Sequence, residues 1–186
     1  MIESVLITGA NGGLGKETAR QLAMIDSTKR IYLACRNPAK ADEARQSLEA
    51  ATGKSIFETV ILDTSELDSV RSVVESLDQP VAGLVMNAGG IVGKNFAEKT
   101  TDGVTQMLAV NLLGHVVLLE ELLSSQKLVD VAIFSSSETA RGVPRLGLKA
   151  PELQSYSIEE FASVCDGSFF QGEENLVIPI HAYPVM

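Results

Sequence analysis

The residues best suited to chemistry near the amino terminus are the glycines of Thr8-Gly9-Ala10-Asn11-Gly12-Gly13-Leu14-Gly15. The stretch follows the apolar run Val5-Leu6-Ile7, so Gly9, Gly13 and Gly15 form a Gly-x-x-x-Gly-x-Gly turn between a strand and a helix. With no Cβ in the way, such a turn lets the backbone approach a diphosphate, and Asn11 and Leu14 join the glycines as contacts. The free N–H groups opening the next helix, helped by its dipole, favour negative charge. The second strand decides which dinucleotide fits. It ends Cys35-Arg36-Asn37, and no acidic residue occurs between Ser27 and Ala41. The carboxylate that usually accepts from an adenosine ribose is therefore missing. A guanidinium at Arg36 can fork onto a 2′-phosphate and is expected to meet no competing carboxylate. NADP(H) is the expected cofactor; a solvated arginine at a strand end is the plain alternative.

Two further stretches belong beside that nucleotide. Asp63-Thr64 follows the third strand, where the Asp63 carboxylate can accept from an adenine amino group or, alternatively, act as a helix-start acid beside Ser65. Asn87-Ala88-Gly89 follows the fourth strand, with residues small enough for close backbone approach and with Asn87 to steady the loop.

The elements that must position these residues alternate along the chain. Strands are expected at Ser4 to Thr8, Ile31 to Ala34, Ile56 to Leu62, Val81 to Met86 and Val129 to Phe134. Helices are expected from Leu14 to about Ile25, from Asn37-Pro38 to about Ala51, from a Ser65 cap through Leu77, and from Thr101 or Asp102 through Leu123. Such alternation predicts an α/β fold, a doubly wound parallel sheet in the order 3-2-1-4-5, with ligands at the carboxyl ends of the strands. Residues 1–137 form that core. Residues 138–186 are irregular apart from a helical candidate at Ser157 to Val164, and are read as a lid on the substrate side of the same domain.

Composition narrows the setting. The chain has 186 residues, one domain's worth, with a net charge of −9 and a pI near 4.7, which argue against nucleic acid or an anionic membrane as partner. Mean hydropathy is +0.16, yet the richest apolar run, Val116-Val117-Leu118-Leu119, meets Glu120-Glu121 at once, so no membrane span is expected. Met1-Ile2-Glu3-Ser4 lacks the look of a signal peptide, and two distant cysteines suit reduced thiols; a cytoplasmic location is expected. His115 and His181 have no second ligand at helical spacing, so packing or capping is expected of them and no metal site.

In order and spacing, Gly9-x-x-x-Gly13-x-Gly15, Asp63, Asn87-Ala88-Gly89, Val110-Asn111-Leu112-Leu113-Gly114-His115 and Ser135-Ser136 resemble the short-chain dehydrogenase/reductase family. Ala34-Cys35-Arg36 and the Asn-x-x-Gly-His pattern are most similar to its retinol dehydrogenase and protochlorophyllide reductase branches. The resemblance covers residues 4 to 137. It implies an NADP(H)-dependent hydride transfer between a carbonyl and an alcohol. By position it gives Asn111 a role in holding a proton-relay water. It gives Ser136 a hydrogen bond to the substrate oxygen, with Ser135 and Ser137 as near rivals.

The family's remaining pair is Tyr-x-x-x-Lys, whose lysine lowers the tyrosine's pKa by its charge. Tyr32 is far from the site, and Tyr156 has Glu160 four places on, the wrong charge. Tyr183 follows the irregular stretch and is the candidate general acid or base, but the sequence stops at Met186, one position short of the lysine. A chain truncated before the family's last strands is therefore expected, with Val129 to Phe134 left as a bare apolar sheet edge. The 101–123 helix would likewise lose cover over Val104, Leu108, Val116 and Leu119. The alternative is a catalytically incomplete NADP(H)-binding sensor or scaffold; a flavin or other nucleotide binder is a third reading. Apolar residues in the irregular stretch (Leu146, Leu148, Phe161, Phe169, Phe170) hint at a small lipophilic carbonyl or alcohol as substrate. Oligomeric state stays open, the family's usual homodimer surface including the helix that would follow Tyr183.

Overall fold

In a computed structural model of the chain, residues 2–90, 98–136, 145 and 152–170 are described. Five strands, β1 (Ser4–Thr8), β2 (Arg30–Cys35), β3 (Phe57–Ile61), β4 (Val81–Met86) and β5 (Leu128–Phe134), form one sheet in the order β3-β2-β1-β4-β5. Every pairing is parallel, with Leu6 of β1 opposite Tyr32 on one side and Leu84 on the other. This is the expected doubly wound sheet.

The helices are α1 (Gly13–Ala23), α2 (Pro38–Thr52), α3 (Leu67–Ser76), α4 (Gln106–Leu108), α5 (Gly114–Ser124) and α6 (Ile158–Asp166). A π turn, Ala109–Leu113, joins α4 to α5, making one helical run from Gln106 to Ser124. Alternation along β1 sorts the core into two layers. Val5 and Ile7 pack with Ala19 and Ala23 of α1 and Leu48 of α2. Leu6 points the other way, to Val70, Val73 and Val74 of α3 and Leu118 and Leu122 of α5. Both faces of the central strands are covered, which is why they read as unbroken apolar runs.

Local signals explain most boundaries. Asn37 caps α2 by accepting from Lys40 N at 3.0 Å, Pro38 opens it, and Gly53 ends it with φ of 68°. Two starts differ from expectation. Ser65 does not cap α3: its N–H and hydroxyl both donate to Asp63 Oδ1, at 2.9 and 2.6 Å, and Glu66 takes the cap position. The helix expected from 101 starts at Gln106 under a Thr105 cap. An antiparallel bridge between Lys99 and Thr105 and a bond from Thr100 N to Val104 O hold residues 100–105 in a turn. Val104 therefore lies off the helix and Leu108 is buried, while Val116 remains half exposed.

The run Gln106–Ser124 is long and apolar enough to cross a membrane by length and composition. Glu120-Glu121 ends its richest apolar stretch, but they are the only charged residues in the run. Within the fold, Leu118 and Leu122 of that run are fully buried beneath the sheet.

Candidate functional site

A cleft of about 330 Å³ opens at the carboxyl ends of β1 to β4, where the strand order reverses between β1 and β4. One wall is the turn after β1, with Gly9, Asn11, Gly13 and Leu14. Arg36 at the end of β2 and Asp63-Thr64 after β3 flank it, and Asn87-Ala88-Gly89 after β4 closes it. Of the expected nucleotide contacts, only Gly15 is not in the lining. It is buried beneath, where a Cβ would come within 2.6 Å of both Gly9 O and Asn87 Nδ2. Gly9 has φ of 67°, and a Cβ there would come within 2.9 Å of Ala88 Cα. Those glycines let two loops approach to contact.

Helix α1 presents its amino end to this cleft. Its cap position, Gly12, offers no side-chain acceptor, and its first turn holds no acidic residue. The N–H groups of that turn and the helix dipole suit an anion.

The loop after β4 is held by the side chains of Thr8, Asn87 and Asn111. Thr8 Oγ1 accepts from Asn87 N at 2.9 Å and Ala88 N at 2.8 Å, while Asn87 Nδ2 donates to Thr8 O at 3.2 Å. The Asn111 carboxamide accepts from Gly90 N at 2.8 Å and donates to Gly90 O at 3.0 Å. Asn111 sits in the π turn, which re-aims side chains relative to the helix on either side. The amide that the resemblance associates with a relay water is thus engaged on the backbone of Gly90.

Arg36 corrects one expectation. Its side chain is 70% exposed, yet Asp63 Oδ2 lies 3.9 Å from its Nε. The nearest carboxylate comes from the end of β3, adjacent in space though distant in sequence. Asp63 Oδ1 is taken by Ser65, so Asp63 acts as an anchor of its own turn and also borders the cleft. The Cys35 thiol, buried at the end of β2, is pushed up to about 11 by burial, against the Ala10 and Asn11 N–H groups that favour its thiolate. It is a neutral part of the wall.

Glycine turn, sheet order and flanking loops have a family counterpart: a match to the short chain dehydrogenase family spans residues 3–146. The chain belongs to that family. Bovine retinol dehydrogenase 12 (Bos taurus) is 38% identical over 125 residues, covering 66% of this chain and 39% of that protein. Chloroplastic protochlorophyllide reductase B of Hordeum vulgare is 39% identical over 134 residues, covering 68% of this chain and 32% of that protein. The chain thus spans well under half the length of these curated relatives. A solved alcohol dehydrogenase from the archaeon Thermococcus sibiricus, complexed with 5-hydroxy-NADP, matches with a TM-score of 0.61 at 25% identity, covering 77% of this chain and 61% of that one.

The candidate catalytic positions expected from the family resemblance are only partly within the described residues. Ser135 follows β5 and donates its N–H to Met86 O at 2.9 Å, and Ser136 next to it is exposed beyond the strand end. Ser137, Tyr183 and His181 lie outside the described residues, as does most of the expected lid. Tyr156, set aside on sequence, is 81% exposed, and its N–H donates to Glu160. Sequence reasoning missed Thr8 and gave His115 only a packing or capping role. Thr8 Oγ1 holds backbone amides and His115 contacts that hydroxyl, so only their proximity in the fold reveals them.

Proposed function

We propose that the chain carries the nucleotide-binding core of an NADP(H)-dependent oxidoreductase that transfers hydride between nicotinamide and a lipophilic carbonyl or alcohol. The observation that carries the reading is the cleft at the switch point, with an exposed guanidinium at its mouth and no acidic residue at the end of β2. Family membership supports the reaction class, the archaeal relative's bound ligand supports the cofactor, and the retinol dehydrogenases support the substrate class. Bound here, NADP(H) supplies or accepts the hydride.

The chain's own residues have separable roles in this reading. The amino end of α1 holds the diphosphate against Gly9, Asn11 and Gly13. Arg36 leaves its long contact with Asp63 and forks onto the 2′-phosphate. Asn87-Ala88-Gly89 supplies the backbone wall beneath the adenosine. Ser136 donates to the substrate oxygen, and Tyr183 gives or takes its proton. Asn111 fixes Gly90 on the nicotinamide side.

Titration with NADPH and NADH tests this directly. The unaltered chain binds NADPH the more tightly. Arg36→Asp lowers NADPH affinity by roughly 10- to 100-fold, the worth of charge-assisted bonds to a phosphate, and shifts preference toward NADH. An unchanged ratio of the two affinities would refute the role of Arg36. A chain that binds NADPH but turns over no carbonyl at any length would instead be a sensor.

A further inference from the structure

Two clamps hold the loop after β4, and His115 contacts one of them. At one end Thr8 Oγ1 accepts from Asn87 N and Ala88 N; at the other the Asn111 carboxamide grips both backbone groups of Gly90. Thr8 Oγ1 makes a third contact, 2.9 Å to His115 Nε2. A hydroxyl has two lone pairs and a single proton. Both lone pairs are occupied by the two amides, so the hydroxyl proton goes to Nε2, and Nε2 carries none. The ring proton must then sit on Nδ1. That nitrogen is buried without a hydrogen-bond partner among the described residues. The imidazole is 1% exposed, and Phe134 of β5 meets it edge-on with ring centroids 5.7 Å apart.

We propose that His115, as its Nδ1-protonated tautomer, is a positioning residue that holds the Thr8 hydroxyl as the acceptor for Asn87 and Ala88 and so fixes their backbone along the cleft. Gly9 carries this position to the opposite wall, because its Cα packs against the Ala88 backbone without room for a Cβ. A shift of Ala88 therefore moves the wall that faces a nucleotide. The effect on nucleotide affinity rests on the cleft being a dinucleotide site; the hydrogen-bond coupling does not.

The test separates the two. In the unaltered chain, nitrogen-15 shifts of the imidazole should show a pyrrole-type Nδ1 and a pyridine-type Nε2. His115→Phe keeps the ring's bulk and its edge contact with Phe134 but accepts nothing from Thr8; His115→Gln restores an oxygen near the position of Nε2. Amide exchange at Asn87 and Ala88 should quicken about tenfold in His115→Phe, with Leu6 and Leu33 unchanged, and should return most of the way in His115→Gln. The NADPH dissociation constant should rise about tenfold and recover in parallel. A proton on Nε2, or unchanged exchange at Asn87 and Ala88 in His115→Phe, overturns the proposal. If His115→Phe does not fold, the tautomer and the exchange rates of His115→Gln decide. The expected exchange pattern without any NADPH binding would retire the nucleotide reading and leave the coupling standing.

Discussion

His115 is buried as a neutral ring. Burial lowers its pKa to about 4, outweighing the Asn111 backbone, which favours the charged form. An unfolded histidine titrates near 6.5, so between about pH 6.5 and 4 the unfolded chain binds the extra proton and the folded one does not. Stability from this residue is intact above that window and is lost as pH falls through it, by roughly 3 kcal/mol in all. A protonated Nε2 would also set a third donor against Thr8 Oγ1. Thermal unfolding at pH 7.5 and pH 5 should show a drop in midpoint that shrinks in His115→Phe. Equal drops in both chains would place the acid sensitivity elsewhere. Arg36 and Asp63 are the counterpart at the surface: 3.9 Å apart and with Arg36 largely exposed, they make a weak pair that leaves the guanidinium free to change partner.

Helix α5 carries two of the contacts that shape the cleft, and both depend on how closely it lies to its neighbours. Gly114 packs against the backbone of Thr64, where a Cβ would collide with the Thr64 carbonyl. Gly114→Ala is expected to cost about 2–3 kcal/mol, read as a lower urea midpoint, and to weaken NADPH binding by displacing Asp63-Thr64. Helix α3 is fixed from the other end. Lys127, just before β5, donates to the carbonyls of Val74 and Leu77 at 2.7 Å each and to Glu75 at 3.2 Å. These are orphan acceptors of the helix's last turn, and the ammonium also suits the negative end of its dipole. Lys127→Met is expected to cost about 2 kcal/mol in the same unfolding experiment while leaving the NADPH-to-NADH preference unchanged. A shift in that preference would mean that α3 governs the cleft.

At the scale of the molecule, the sheet is well covered at its centre and open on one side. Among the described residues β5 is one of the two edge strands, β3 being the other, and it leaves Val129 66% and Ile133 54% exposed. Apolar edges pair with other chains. Ile133→Lys is expected to reduce self-association, measured by light scattering against concentration, with little change in the unfolding midpoint. An unaltered association would place the contact on another surface.

The parallel order of the sheet was readable from the chain, because apolar runs, caps and glycines recur at the spacing of right-handed crossovers, and Asn37-Pro38 and Gly53 mark helix ends by local chemistry alone. The loops that line the cleft were readable for the same reason: each directly follows a strand, and the fold gathers strand ends at one place. Sequence could not show what depends on neighbours far along the chain. Asp63 sits by Arg36 only because β2 and β3 pair in parallel, and it draws Ser65 away from capping α3. The start of α4 moved to Gln106 because a bridge between Lys99 and Thr105 outcompetes helical propensity. Thr8 and His115, 107 residues apart, meet at 2.9 Å because β1 and α5 are stacked in one layer. Periodicity encodes which elements form; tertiary packing alone decides which lone pairs and protons they share.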